Sequence, residues 1–161
     1  MKKAIIIVIS LLLAPAALAV WLKQPFNHEI GHMKLANLSK ADPARLKAYV
    51  EKLSTEYATR HFGDVKTLNL AANFIQAEFQ KTTKRVTLQS YQVDSEQFHN
   101  VIARFGPAID YTASYENGPP KPVIIGAHYD VEAETMGADD NASGVAGLLE
   151  LARIFAEKPP S

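Results

Sequence analysis

The chain has 161 residues, with 17 Lys and Arg against 17 Asp and Glu, five His and no Cys. This length suits one modest domain after any export segment, and a hydrophobic fraction of 47% suits a globular chain rather than a disordered one. Zero net charge without a basic stripe argues against a nucleic-acid partner, and the lack of cysteine removes disulfides, thiol nucleophiles and Cys-ligated metal, leaving His, carboxylates and hydroxyls for any chemistry.

Lys2 and Lys3 precede an uncharged run from Ala4 to Leu22 that ends at Lys23. Residues 1–22 read as a signal peptide or a membrane anchor. Pro15 and the small-x-small site Ala17-Leu18-Ala19 favour cleavage after Ala19. Retention as an anchor is the alternative, since about 17–25 apolar residues span a bilayer. Both readings export the domain, to the periplasm or the exterior in the first case and to the membrane surface in the second. Residues 23–41 read as a tether, with Pro25, Asn27, Gly31, Asn37 and Ser39 scattered through weak periodicity.

The globular part begins near Asp42, where Asp42-Pro43 supplies an N-cap and a proline at the first helical position. Leu46, Tyr49, Val50, Leu53 and Tyr57 recur at helical spacing, which predicts a helix over about 42–58. A second helix is predicted over 65–81, with Leu68, Ala71, Ala72, Ile75 and Phe79 on one face. Residues 86–93 alternate as a half-buried strand, and Asn100 to Phe105 follow as a second strand after a short turn. A surface excursion from Gly106 to Lys121 precedes the apolar run Pro122 to Ala127, which is expected to be a strand buried on both faces. After a polar loop, a last helix over about 142–157 turns Val145, Leu148, Leu149, Ala152 and Phe155 inward. This order predicts an α/β fold with a mixed, largely parallel sheet flanked by helices, in which ligands bind beyond the carboxyl ends of the strands.

His128 ends the buried run and Asp140 opens the last helix, both at that edge. Asp130, two residues after His128, points to the same side of an extended backbone and can hold one ring nitrogen while the other binds a metal. A carboxylate at a helix start, such as Asp140, is stabilised by free amides and can give one oxygen to each of two cations. Taken separately, His-x-Asp is commonly a surface hydrogen-bonded pair, and Asp-Asn-x-Ser before a helix is commonly capping chemistry. Their placement between an apolar run and an apolar helix makes the combination specific.

The stretches Val123-Ile124-Ile125-Gly126-Ala127-His128-Tyr129-Asp130 and Gly137-Ala138-Asp139-Asp140-Asn141-Ala142-Ser143-Gly144-Val145-Ala146, with Asn100-Val101-Ile102-Ala103 upstream, resemble the secreted di-zinc aminopeptidases, which include bacterial leucyl-type and aminopeptidase S and Y-like exopeptidases. The resemblance covers roughly residues 43 to 158. It implies that His128 binds one zinc, that Asp140 bridges two zincs, that Asp130 orients His128, and that Asp139 neighbours the active site. It also implies a cis peptide at Asp140–Asn141.

The activity it implies is hydrolysis of amino-terminal peptide bonds of peptides and proteins. Two zincs roughly 3.5–4 Å apart activate a water and polarise the carbonyl, while a glutamate takes the proton. The family pattern continues with a paired glutamate, a further acidic ligand and a final histidine, for which Glu132, Glu134 and Glu150 are not substitutes by motif. Residues 42–161 therefore read as the amino-terminal part of a zinc peptidase domain, inactive as it stands. A short non-catalytic binding or membrane-tethered module on the same scaffold is the alternative.

His28-Glu29-Ile30-Gly31-His32 also matches the HExxH pattern of single-zinc metalloproteases. Leu35 and Leu38 stand where the extended form wants Gly and His, and the motif falls in the tether. It reads as coincidence. His61 and His99 read as solvent-facing or capping residues, and Tyr111 and Tyr115 as packing residues that could line a substrate entrance.

Overall fold

The computed structural model describes residues 40–159 except 111, 115, 117 and 120. The export segment, the HExxH stretch, Tyr111 and Tyr115 lie outside the described residues. Helix α1 spans Pro43–Thr55, α2 spans Val65–Gln80, strands β1 and β2 span Val86–Val93 and Glu96–Ala103, and α3 spans Ser143–Glu157. Among the described residues no helix is long and apolar enough to cross a membrane.

Helices α1 and α2 start where the sequence supplies a cap. The Asp42 carboxylate accepts from the amides of Ala44 and Arg45, with Pro43 in the first turn. Asp64 accepts from the Thr67 amide at 3.1 Å and from the Thr59 hydroxyl at 2.6 Å. The apolar faces then meet. Leu53 from α1, Ala71, Ile75 and Phe79 from α2, and Val145, Leu149 and Ala152 from α3 form one buried cluster with Ala142. Val86, Val101 and Ala103 close it from the hairpin, and Phe74 stacks on Tyr57 with ring centroids 5.6 Å apart.

The hairpin departs from expectation at its second strand. Pairing runs from Val86↔Ala103 down to Val93↔Glu96, so β2 begins at Glu96 rather than at Asn100. A two-residue turn is enough to reverse the chain, and Asp94 takes the left-handed conformation there (φ 54°). His99 consequently lies inside β2, and its ring nitrogen Nδ1 is 3.0 Å from the Ser90 hydroxyl across the ladder.

The expected parallel sheet is the main correction. Among the described residues the sheet is the antiparallel pair β1–β2 alone, and the run Pro122 to Ala127 joins no ladder. Val123 and Ile124 are 88% and 89% exposed. The apolar run that reads as a doubly buried strand has no strand beside it among the described residues, and a strand exists only through its neighbours' hydrogen bonds. Sequence composition records what the run can pack against, not whether the partner is present.

Two outcomes follow from these features. Exposed aliphatic side chains on unpaired backbone template association, so Ile124→Lys should reduce light scattering of the purified chain at equal concentration; unchanged scattering would clear this run as the source. The Thr59 hydroxyl and the Thr67 amide hold the Asp64 carboxyl down to about 2, below its unfolded value of about 3.9. Its contribution to stability is therefore complete above pH ~4 and is lost as the pH falls towards 2. The melting temperature of the parent should fall more steeply between pH 5 and pH 2.5 than that of Asp64→Asn; parallel declines would contradict the assignment.

Candidate metal centre

The segment after the apolar run alternates as an extended chain does. Ala127, Tyr129 and Val131 turn inward while His128 and Asp130 face outward. His128 and Asp130 thus share a side, and the ring nitrogen Nδ1 of His128 lies 3.1 Å from Asp130 Oδ1. The other nitrogen, Nε2, lies 2.9 Å from Asp140 Oδ1. The structure therefore brings His128, Asp130 and Asp140 together, with His128 between the two carboxylates.

Asp140 reaches this position from an unusual turn. Residues Ala138–Ala142 form a wide turn closed by the Ala142 amide donating to the Gly137 carbonyl at 3.0 Å. Within it Asp140 (φ −116°, ψ 89°) and Asn141 (φ −138°, ψ 44°) leave helical geometry, and the peptide between them is cis. Asn141 Oδ1 then accepts the Gly144 amide at 3.0 Å, tying the turn to the first residues of α3. Gly137 is required on two counts. Its φ is +59°, and a Cβ there would lie 2.3 Å from Val131 Cγ2 and 2.7 Å from Arg60 Nη2. Asp139 is exposed, and its carbonyl accepts the Ser143 hydroxyl at 2.9 Å.

The donor set fits a zinc ion in type. An imidazole nitrogen and carboxylate oxygens are normal zinc ligands, and two such donors on one tetrahedral ion stand roughly 3.3 Å apart. The pair at 2.9 Å needs to open by only a few tenths of an ångström. The chemistry of the contact points the same way. A neutral imidazole has one N–H, while both facing carboxylates only accept. With Nδ1–H donating to Asp130, the Nε2 lone pair faces another acceptor, an arrangement that requires a cation or a second proton between them. The number of ligands is smaller than an ion wants: among the described residues no group of three or more His, Asp or Glu converges as a metal cage.

Three residues that matter to this region carried no motif. Arg60 is fully buried between α1 and α2. Its guanidinium donates to the carbonyls of Leu53 in the last turn of α1 and Tyr57 just after it, of Tyr129 beside His128, and of Met136 and Gly137 before the Asp140 turn. Burial lowers its pKa, and the Asp130 charge acts in the opposite direction. Tyr129 donates its hydroxyl to the His99 carbonyl at 2.7 Å, and burial pushes its pKa up to about 12. Glu150, also buried, takes the Asp42 amide at 2.8 Å and Arg153 at 2.7 and 3.0 Å, and Arg153 lowers its pKa. That ionic cluster joins α3 to the start of α1 and keeps Glu150 out of the site. Of the signals available in sequence, only Glu150 offered one: a charge in the inward stripe Val145, Ala146, Leu149 and Ala152. A recess of about 390 Å³ beside Arg85, Arg104, Phe105 and Phe155 takes no wall from His128, Asp130 or Asp140.

Comparison with known proteins bears on this stretch of chain. Residues 100–161 match the profile of Peptidase family M28. Among curated relatives, an uncharacterized protein of Escherichia coli K12, YfbL, is 38% identical over 128 residues, covering 74% of this chain and 36% of that protein. A probable zinc metalloprotease of Pyricularia oryzae is 32% identical over 152 residues, covering 78% of this chain and 28% of its own length. A vacuolar membrane protease of Schizosaccharomyces japonicus is 42% identical over 45 residues, 28% of this chain and 5% of that one. The chain thus spans about a third or less of the length of these relatives. No solved structure matches it. The stretch that matches Peptidase family M28 includes His128, Asp130 and Asp140.

Proposed function

We propose that residues 42–161 are the amino-terminal part of an exported zinc-dependent aminopeptidase acting on the amino-terminal peptide bonds of peptides and proteins. The observation that carries the reading is the imidazole of His128 held between Asp130 and Asp140, 3.1 and 2.9 Å away, within a segment matching Peptidase family M28. The relative named a probable zinc metalloprotease supports zinc as the metal.

In this reading His128 Nε2 and the Asp140 carboxylate would hold the metal, and Asp130 fixes the ring by accepting from Nδ1–H. That hydrogen bond selects the tautomer whose Nε2 lone pair is free for metal. Two zinc ions, when bound, supply Lewis acidity to a water and to the scissile carbonyl. Glu150 does not serve as the proton acceptor, because Arg153 and the Asp42 amide occupy it. Export rests on the uncharged run from Ala4 to Leu22 after Lys2 and Lys3, with membrane association through residues 4–22 if that run is retained. The relative named a vacuolar membrane protease is compatible with either.

Two zinc ions sharing one bridge need about five protein ligands, and His128 and Asp140 supply two. The 161 residues alone should therefore show no turnover of leucine-p-nitroanilide in the presence of zinc, and chelator-sensitive hydrolysis would overturn the ligand count. Zinc titration followed by calorimetry should nevertheless register the pair: His128→Ala and Asp140→Asn should each weaken uptake at least about tenfold. Uptake unchanged in both variants would end the zinc reading.

A further inference from the structure

We infer that Arg60 is a positioning residue for the metal pair: one buried guanidinium fixes the spacing between the chain segment that carries His128 and the turn that carries Asp140. The inference rests on the zinc reading of these two residues and adds to it a group outside the matched stretch, which begins at residue 100.

The geometry of the five hydrogen bonds makes the case. Nε donates to the Tyr129 carbonyl at 2.8 Å, one peptide from His128. Nη2 donates to the Gly137 carbonyl at 2.8 Å. That same carbonyl receives the Ala142 amide at 3.0 Å and so closes the turn on which Asp140 stands. Nη1 reaches Leu53 at 2.7 Å, Tyr57 at 3.2 Å and Met136 at 3.2 Å. The backbone repeats the tie, because the Val131 amide donates to the Arg60 carbonyl at 3.0 Å. A planar fork has fixed angles between its donors, so the Tyr129 and Gly137 carbonyls are held at a distance set by the guanidinium itself. His128 and Asp140 inherit that distance.

The charge reaches the site as well. All five hydrogen-bond acceptors of Arg60 are carbonyls, and the anion that favours its charged form is Asp130. Asp130 is also the carboxylate 3.1 Å from His128 Nδ1. The guanidinium charge and the imidazole orientation thus meet on one carboxylate. Lysine would keep the charge and lose the fork, since an ammonium offers three donors from a single point.

The test is zinc titration of the full chain by calorimetry, with a thermal melt of each variant to show that it is folded at the titration temperature. Arg60→Lys should melt cooperatively and bind zinc at least about tenfold more weakly than the parent, the range found when groups behind a metal ligand are changed. Phe79→Leu, a core change that removes no hydrogen bond of the site, should lower the melting temperature and leave zinc affinity within about twofold. If Arg60→Lys does not fold, Arg60→Gln, which keeps a planar amide donor without the fork, is read by the same criterion. Affinity within about twofold of the parent in the folded variant overturns the inference, as does an equal loss in Phe79→Leu, which would make zinc affinity a report on stability alone. His128→Ala in the parent separates the two levels. If it leaves zinc uptake untouched, the zinc reading fails; if it removes uptake while Arg60→Lys keeps it, only the positioning role fails.

Discussion

A buried guanidinium with five carbonyl partners is the constraint around which this chain is arranged. Taking a cation out of water is costly unless every donor finds an acceptor and some negative charge lies near. Arg60 meets both terms with backbone oxygens and with Asp130. One of those oxygens, at Leu53, belongs to the last turn of α1, where helical carbonyls lack intrahelical partners and the dipole favours a cation, and a second, at Tyr57, lies just beyond the helix. The remaining three belong to the polar segment between the apolar run and α3. Arg60 therefore completes a helix terminus and anchors a loop with one group, while the Tyr57 and Gly137 carbonyls also accept the amides of Arg60 and Ala142.

The parts of the fold legible in sequence are those set by local periodicity. The apolar face of α2 is read residue for residue, because Leu68, Ala71, Ala72, Ile75 and Phe79 recur at the helical period and all are buried. Strand β1 has the expected bounds for the same reason. The start of β2 is hidden, since Glu96, Gln97, His99 and Asn100 are polar and owe their strand geometry to pairing with β1 rather than to their own pattern. The run Pro122 to Ala127 fails in the opposite sense: its composition says buried strand, but a ladder needs a second chain segment that no local pattern can supply.

The candidate site divides along the same line. His128, Asp130 and Asp140 are recognisable because their residue types at a chain turn and a helix start carry chemistry that few other arrangements need. Arg60 is invisible beforehand, since an arginine in a short connection between two helices looks like a solvated charge until its acceptors, up to 77 residues away in sequence, are in place. Tyr129 is hidden for a related reason. Its neighbours His128 and Asp130 attract attention, while its own role is to hang the segment from the His99 carbonyl on β2. Burial of the tyrosine ring and of Val131 gives the segment its alternation, and that alternation in turn puts the two functional side chains on one side.

A ligand at the end of a strand is ordinarily held from behind, by the ladder that fixes the strand's register. Here residues 122–126 are exposed and in no ladder, yet the ring of His128 is aligned between two carboxylates. The register is held from ahead instead. Tyr129 is tied through its carbonyl to Arg60 and through its hydroxyl to β2, and Val131 through its amide to the Arg60 carbonyl. These three bonds fix two consecutive inward positions of an extended segment. A slip of one residue would turn His128 inward and Tyr129 outward, unpairing the guanidinium and the His99 carbonyl together. Polar ties with fixed partners specify register more sharply than apolar packing alone, because a slipped methyl still finds contacts while a slipped hydrogen bond finds none. The geometry of the His128–Asp140 pair is thus a property of the helix, hairpin and turn around it, independent of whether the apolar run that leads to it is paired.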